Sequence, residues 1–302
     1  MTAVGTPILG KRRAWKLAVR LPTLTAAVSP VLVGSGVAIH QHVFSLAAAL
    51  AALLGAICLQ VGANFANDVF DFKRGTDTAD RLGPPRASQL GLLSTKEMLA
   101  GMWLAFAFAT GAGVFLVWTA GWPVLAVGVA SILAAIAYTG GPWPTGYHAL
   151  GDLFTFVFFG PVAVAGTYFV QAGDVSTLAW LASIPVGCTV TMILVVNNLR
   201  DIPTDRQTGK RTLAVVMGDR WSRWWFVLLA KVAVAIPLLT AVTGLAPWGV
   251  LVLPIAAWWL WPPMKAVLLT GTHGRALNPV LKATARFNLV FGLAWAVTLA
   301  IR

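Results

Sequence analysis

The sequence predicts an all-α integral membrane protein with nine transmembrane helices. Three observations carry that prediction. Of the 302 residues, 58% are hydrophobic and only 11% are Asp, Glu, Lys or Arg, against about 25% charged in soluble domains. Apolar runs long enough to cross a bilayer recur along the whole chain. Positive charge falls almost entirely between alternate runs. Composition also removes other classes. Disorder requires low hydrophobicity, two Cys make no disulfide scaffold, and the 29 Gly follow no triplet period. A net charge of +12 would point a soluble protein toward nucleic acid. Here its distribution reports orientation instead, and no nucleic-acid partner is expected.

A basic leader over 1–21 holds Lys11, Arg12, Arg13, Lys16 and Arg20. Spans are expected at 22–40, 44–66, 97–118, 122–139, 151–170, 178–196, 223–243, 247–264 and 284–301, each near the ~20 residues that a helix needs to cross hydrocarbon. Transmembrane strands would alternate apolar and polar residues over about ten positions, and runs such as 44–65 do not. With the N-terminus in the cytoplasm, 21 of the 22 Lys and Arg fall on the cytoplasmic side and only Arg302 opposite, which satisfies the positive-inside rule. The first span follows a basic leader but lacks a small-residue cleavage site, so it is expected to stay as a span. His40 and His42 read as a solvated outer loop, since two ligands are too few for a zinc site. Trp118, Trp122, Trp248 and the tryptophans of 258–261 read as an interface belt. The chain is expected in the cell membrane as one multi-pass unit over 1–302, and its longest polar stretches are 67–96 and 197–222.

The acids are few and concentrated. Six of the ten lie in two stretches: Asp68, Asp71, Asp77 and Asp80 in the first, Asp201 and Asp205 in the second. Four spans separate the stretches, so both face the cytoplasm. Asn67 and Asp71 are four apart, as are Asn197 and Asp201, and Asp205 adds another step. Residues at i and i+4 share one helix face, so each helix is expected to run past the bilayer carrying a stripe of oxygen donors, with Pro203 a possible kink in the second. Both stretches then turn basic, through Lys73 and Arg74 and through Arg206, Lys210 and Arg211; this is a weak internal repeat of the kind that places paired sites in membrane proteins. Crowded carboxylates without Cys or His suit Mg²⁺ or Ca²⁺. Mg²⁺ takes one or two carboxylates together with substrate phosphates, and the adjacent Lys and Arg suit a metal–phosphate complex rather than a bare cation. The two stretches read as a clamp for a diphosphate. No P-loop is present, and Cys58 and Cys188 stand alone in separate spans. Taken singly, each acid at a membrane edge is equally well a solvated loop residue.

The segments NDVFD (67–71) with GTD (75–77), and DIPTD (201–205), resemble the two aspartate-rich motifs of the UbiA superfamily of membrane prenyltransferases. Segments 21–36, 138–152, 158–171 and 197–215 are similar to the branch that prenylates 1,4-dihydroxy-2-naphthoate on the way to menaquinone, vitamin K2. The resemblance covers nearly the whole chain. One departure stands out: the common first motif has an acid eight residues after its Asn, where this chain has Gly75, and the next acid is Asp77. The branch shows that variant, which leaves open whether Asp77 takes the missing ligand's place.

The resemblance implies nine helices around a central cavity, under a cytoplasmic cap formed by 67–96 and 197–222, with a side opening for the prenyl chain. It implies a Mg²⁺-dependent transfer of a polyprenyl group from its diphosphate to 1,4-dihydroxy-2-naphthoate, with loss of CO₂ to give demethylmenaquinone. Asn67, Asp68, Asp71 and Asp77 would hold one Mg²⁺, and Asn197, Asp201 and Asp205 the other, with Asp71 and Asp201 essential to turnover. Lys73, Arg86, Lys210, Arg211 and Arg20 are the candidate diphosphate partners; each is equally a positive-inside anchor. Tyr138 matches the family's tyrosine that shields the allylic cation; by position alone it is also an interface Tyr. Asp152 reads as a cap on the fifth span. The partners expected are the two substrates and the lipid bilayer, with no obligate protein partner. Two other readings remain: another acceptor of the 4-hydroxybenzoate type, and a transporter, since membrane-edge acids also mark ion pathways.

Overall fold

The computed structural model describes residues 10–76, 81–268 and 271–301. Asp77 and Asp80 lie outside the described residues. Long apolar segments in lipid can satisfy their backbone only within themselves, and the chain is accordingly a succession of helices: α1 (Lys11–Val19), α2 (Thr25–His40), α3 (Leu46–Lys73), α4 (Thr95–Ala120), α5 (Trp122–Ala137), α6 (Gly151–Ala172), α7 (Thr177–Gln207), α8 (Leu213–Val242), α9 (Trp248–Ala257), α10 (Trp261–Leu268) and α11 (Asn278–Ala300). The described residues contain no β-strand beyond one isolated bridge, His148 with Arg211.

Seven segments among the described residues are long and apolar enough to cross a membrane, the first of them being Lys11–His40, α1 and α2 taken together. The other two expected spans differ. The segment expected at 247–264 is broken into α9 and α10, bent by 47°. Pro262 and Pro263 open α10, and proline supplies no N–H to continue a helix across the bend. The segment expected at 122–139 gives α5, 16 residues long, or about 24 Å at 1.5 Å per residue, shorter than a hydrocarbon core of about 30 Å. The chain turns at Thr139–Gly141, where Gly141 adopts φ 76°. Two ends extend further than the apolar pattern. α3 continues to Lys73 and α7 to Gln207, so both Asn/Asp sets are helical, and α7 runs through Pro203 without a break. The stretch 197–222, expected as a loop, is helical except at 208–212 and at a kink where Gly218 adopts φ 77°.

α7 is the central helix, with most of its apolar length buried inside the protein. It packs against α2, α6, α8 and α11. α2 and α11 cross closely where Gly36 meets Ala296 and Ser29 meets Gly292, the small-residue contact by which membrane helices approach. At that crossing Asn288 is fully buried. It accepts from Thr189 Oγ1 of α7 (2.7 Å) and donates to the Thr25 carbonyl of α2 (3.2 Å). A second core joins α1, α3 and α4 with the 81–94 segment through Ala14, Phe65, Ala87, Leu93 and Met102. Outward faces are apolar: Trp118 is 87% exposed, Trp122 76% and Ile255 69%. An apolar surface this continuous marks lipid rather than water as the surrounding solvent, and the protein is a multi-pass membrane protein.

Candidate active site

Five connections meet at one end of the bundle. They are tied together by Arg20 to Asp68, Arg74 to the Thr139 carbonyl, Tyr147 to Asp71, Arg211 to the Tyr147 carbonyl, and Asn278 to the Leu82 carbonyl. The C-terminal turns of α3 and α7 face each other there. Between them lies a narrow cleft, partly open to solvent, with room for about 30 Å³ of water-sized space. Asp71 from α3 and Asn197, Asp201 and Asp205 from α7 line it, together with Thr76, Arg81, Arg86, Thr204 and Lys210. The two acidic helix ends that the sequence pairs are thus on one side of the molecule, around one opening.

On α3, Asp68 is 1% and Asp71 2% exposed. A charge this buried is tolerated only when paired, and arginines supply the pairing. Arg86 donates Nη1 to Asp71 Oδ2 at 2.6 Å and to the Asn67 carbonyl at 2.9 Å, with Nε 3.6 Å from Asp68 Oδ1. Arg20, held in the left-handed region at φ 54°, reaches Asp68 Oδ1 at 3.4 Å. Tyr147 donates its phenol to Asp71 Oδ1 at 2.6 Å. Burial and the Asp71 carboxylate hold the Tyr147 phenol well above its ordinary pKa. The Asn67 amide oxygen accepts the Thr139 hydroxyl at 2.9 Å. Asp68 Oδ2 is buried with no hydrogen-bond partner.

On α7, Arg200 is 1% exposed and lies beneath the acids. It grips both oxygens of Asp201 (2.8 and 2.6 Å), the Asn197 amide oxygen (2.8 Å) and the Asn278 amide oxygen (2.9 Å). Asn278 in turn donates to the Leu82 carbonyl at 3.1 Å. The next residue is Gly83, packed closely on this guanidinium: a Cβ there would sit 2.7 Å from Arg200 Nη2. Asp205 is buried, and no described side chain donates to its carboxylate.

Not every expected residue reaches the cleft. Lys73 is exposed at the end of α3; two positions past Asp71 is about 200° around a helix, so it points away. The Arg211 side chain is also exposed, and its backbone makes the bridge with 147–149. Arg20 approaches Asp68 rather than the opening. Tyr138 sits beside the acids instead of among them. Its ring packs on Gly146 and its oxygen on Gly151, near Leu194, one turn of α7 before the second motif. Asp152 is not a cap: α6 starts without a side-chain cap bond, and Asp152 accepts from Trp225 Nε1 of α8 at 3.2 Å. Sequence reasoning missed Tyr147, Arg200 and Asn278. Arg200 stands directly between Asn197 and Asp201 in the chain, the one signal that could have set it apart from the other basic residues.

Among the described residues no three His, Cys, Asp or Glu side chains form a ready metal cage. The donor set still fits Mg²⁺. It is all oxygen, Asp68 Oδ2 and the Asp205 carboxylate receive no hydrogen bond from the described residues, and Mg²⁺ completes its shell with water and phosphate rather than with protein alone.

Residues 27–276 match the UbiA prenyltransferase family. The chain is 40% identical over 290 residues to the 1,4-dihydroxy-2-naphthoate octaprenyltransferase of Mycobacterium tuberculosis, covering 95% of this chain and 96% of that protein. The fold is similar to the apo UbiA homolog from Aeropyrum pernix, with TM-score 0.70 at 18% identity over 90% of this chain and 97% of that one. It is also similar to the Archaeoglobus fulgidus homolog bound to GPP and Mg²⁺, with TM-score 0.68 at 15% identity over 94% and 99%.

Proposed function

The chain belongs to the UbiA prenyltransferase family, and from that premise we propose that it transfers a polyprenyl group from polyprenyl diphosphate to 1,4-dihydroxy-2-naphthoate in menaquinone synthesis. The acceptor is the one in the name of its mycobacterial relative, which aligns with nearly the whole chain. The observation that carries the reading is the single cleft in which Asp71 of α3 faces Asp201 and Asp205 of α7, with Arg81 and Lys210 at its lining.

The chemistry follows from that lining. The allylic C–O bond breaks and the diphosphate departs with the electron pair. Mg²⁺ bound by Asp68, Asp71 and Asp205 would neutralise charge on the leaving group. Lys210 and Arg81 add fixed positive charge where negative charge develops, which is where preorganised electrostatics act most strongly. Arg86 and Arg200 already hold Asp71 and Asp201 in place, so their orientation needs no adjustment during the reaction. Tyr138 lies toward the membrane from the acids and offers an aromatic face to the allylic cation, worth about 2 kcal/mol when desolvated. The electron-rich ring carbon bearing the carboxylate then bonds to the prenyl carbon, and loss of CO₂ restores aromaticity. The prenyl tail lies among lipid-facing apolar helices, and the acid-bearing end faces the cytoplasm, in keeping with the distribution of Lys and Arg.

The test is direct. Purified protein in detergent receives Mg²⁺, geranyl diphosphate and an equimolar mixture of 1,4-dihydroxy-2-naphthoate and 4-hydroxybenzoate. Prenylated, decarboxylated naphthoquinol is the expected product. Prenylated 4-hydroxybenzoate alone would move the enzyme to another branch, and no product with either acceptor would overturn the reading.

A further inference from the structure

The connection between α5 and α6 places a tyrosine behind the cleft lining, against Asp71 and Lys210, that the chemistry above leaves without a task. Tyr147 touches Asp71 of the first acid set and, on its other side, Lys210 and Arg211 in the turn that follows the second. Its phenol donates to Asp71 Oδ1 at 2.6 Å, and Thr76 Oγ1 lies 3.0 Å from the phenol oxygen. Its ring faces two cations: Lys210 Nζ is 5.0 Å and the Arg74 guanidinium 5.4 Å from the centroid, within the range of cation–π attraction. Its backbone is pinned as well. The Tyr147 carbonyl accepts from Arg211 N–H at 3.2 Å, and Ala149 N–H donates to the Arg211 carbonyl at 2.8 Å.

Each contact has a separate consequence. Arg86 occupies one oxygen of Asp71 and Tyr147 the other, so the carboxylate plane is fixed from both sides while each oxygen keeps a lone pair for a ligand. Lys210 follows the second acid set, in a turn where Gly209 has φ 73° and Lys210 N–H bonds the Asp205 carbonyl at 2.8 Å. A lysine on such a turn is a point charge on a flexible stem. The Tyr147 ring restricts that stem to the cleft.

We propose that Tyr147 is a positioning residue for the metal-borne prenyl diphosphate, orienting Asp71 through its hydroxyl and seating Lys210 through its ring. The α5–α6 connection thereby sets the register between the two halves of the grip. This rests on the functional reading above only in taking the ligand to be a prenyl diphosphate carried with Mg²⁺.

The hydroxyl and the ring can be removed one at a time, in full-length protein in detergent. Binding of geranyl S-thiodiphosphate, which does not ionise readily, is measured by calorimetry across a Mg²⁺ titration, beside KM and kcat. Tyr147→Phe removes only the hydroxyl; it is expected to raise the Mg²⁺ concentration for half-maximal binding about tenfold, the scale of one hydrogen bond to a charged group. At saturating Mg²⁺ its KM for prenyl diphosphate should stay within about twofold of wild type, because the ring still seats Lys210. Tyr147→Leu removes both, and its KM should rise about fivefold further. Equal effects of the two substitutions on both quantities, or unchanged Mg²⁺ dependence in Tyr147→Phe, would overturn the proposal, since a packing role depends on ring volume alone. The binding assay contains no acceptor. Wild type that binds the thiodiphosphate but leaves the naphthoate unmodified therefore overturns the acceptor assignment and supports Tyr147's role if the two variants separate as stated. Wild type that binds no thiodiphosphate overturns both.

Discussion

Asp201 is surrounded by positive charge that its own chain neighbour provides. Arg200 holds it through two short bonds and spends its remaining donors on Asn197 and Asn278. Removing one partner of a buried pair leaves the other charge uncompensated, at a cost of about 3 kcal/mol. Arg200→Met should therefore lower unfolding stability by about that amount and reduce kcat/KM at least about tenfold. Arg200→Lys should recover little, since a point charge cannot reproduce the planar fork; full recovery of turnover by lysine would refute the bidentate role. Asp71→Ala and Asp201→Ala should each abolish turnover while the helical circular dichroism stays native, and near-normal activity in either would remove that residue from the site. At this scale the acids were legible in the sequence because there are so few of them. Arg200 and Tyr147 were not. In a cytoplasmic loop every arginine fits the positive-inside pattern, and a Tyr near a membrane edge needs no special reason. Lys73 and Arg211 misled for the same cause, as charge pattern records the side of the membrane and not the direction of a side chain.

Helices were legible wherever twenty apolar residues ran together, because lipid leaves the backbone no other solution. Hydropathy alone did not place their ends; the four-residue spacing of Asn67 with Asp71 and of Asn197 with Asp201 is what pointed to helices running past the bilayer. Hydrogen bonding carries α3 and α7 past the apolar pattern into the polar motifs, so a hydropathy boundary falls two or three turns early. α5 and the α9–α10 pair departed from expectation because glycine and proline, rather than hydropathy, set where they stop. Element packing depends on small residues and one amide. A Cβ on Gly36 would lie 2.7 Å from the Ala296 carbonyl oxygen, so Gly36→Leu should force α2 from α11 and destabilise by about 1–3 kcal/mol. Asn288→Leu leaves the Thr189 hydroxyl and Thr25 carbonyl without that partner, and hydrogen bonds between membrane helices are worth about 1 kcal/mol. Thermal unfolding in detergent should place Gly36→Leu below Asn288→Leu and both below wild type; an unchanged midpoint for Gly36→Leu would contradict the close crossing.

Across the whole molecule, the Asn/Asp sets of α3 and α7 gather at one end with Arg81, Arg86, Arg200 and Lys210, and the outward faces are apolar. This asymmetry is the part of the architecture that composition reported best; the cleft itself, formed by side chains distant in sequence, is visible only in three dimensions. The proposed orientation has a measurable consequence. In a Cys58→Ser/Cys188→Ser background, Lys73→Cys should react with an impermeant maleimide only in inverted vesicles, and Gln41→Cys only in intact cells. Labelling of both from the same side would contradict the arrangement. The central claim is that α3 and α7 share one metal-borne diphosphate. A double-mutant cycle for geranyl S-thiodiphosphate binding at saturating Mg²⁺, with Asp71→Ala, Asp205→Ala and the double variant, tests it most directly. A shared ligand predicts strong non-additivity, the second substitution costing little once the first has been made. Losses that add to within about 0.5 kcal/mol would mean that the two helix ends act independently.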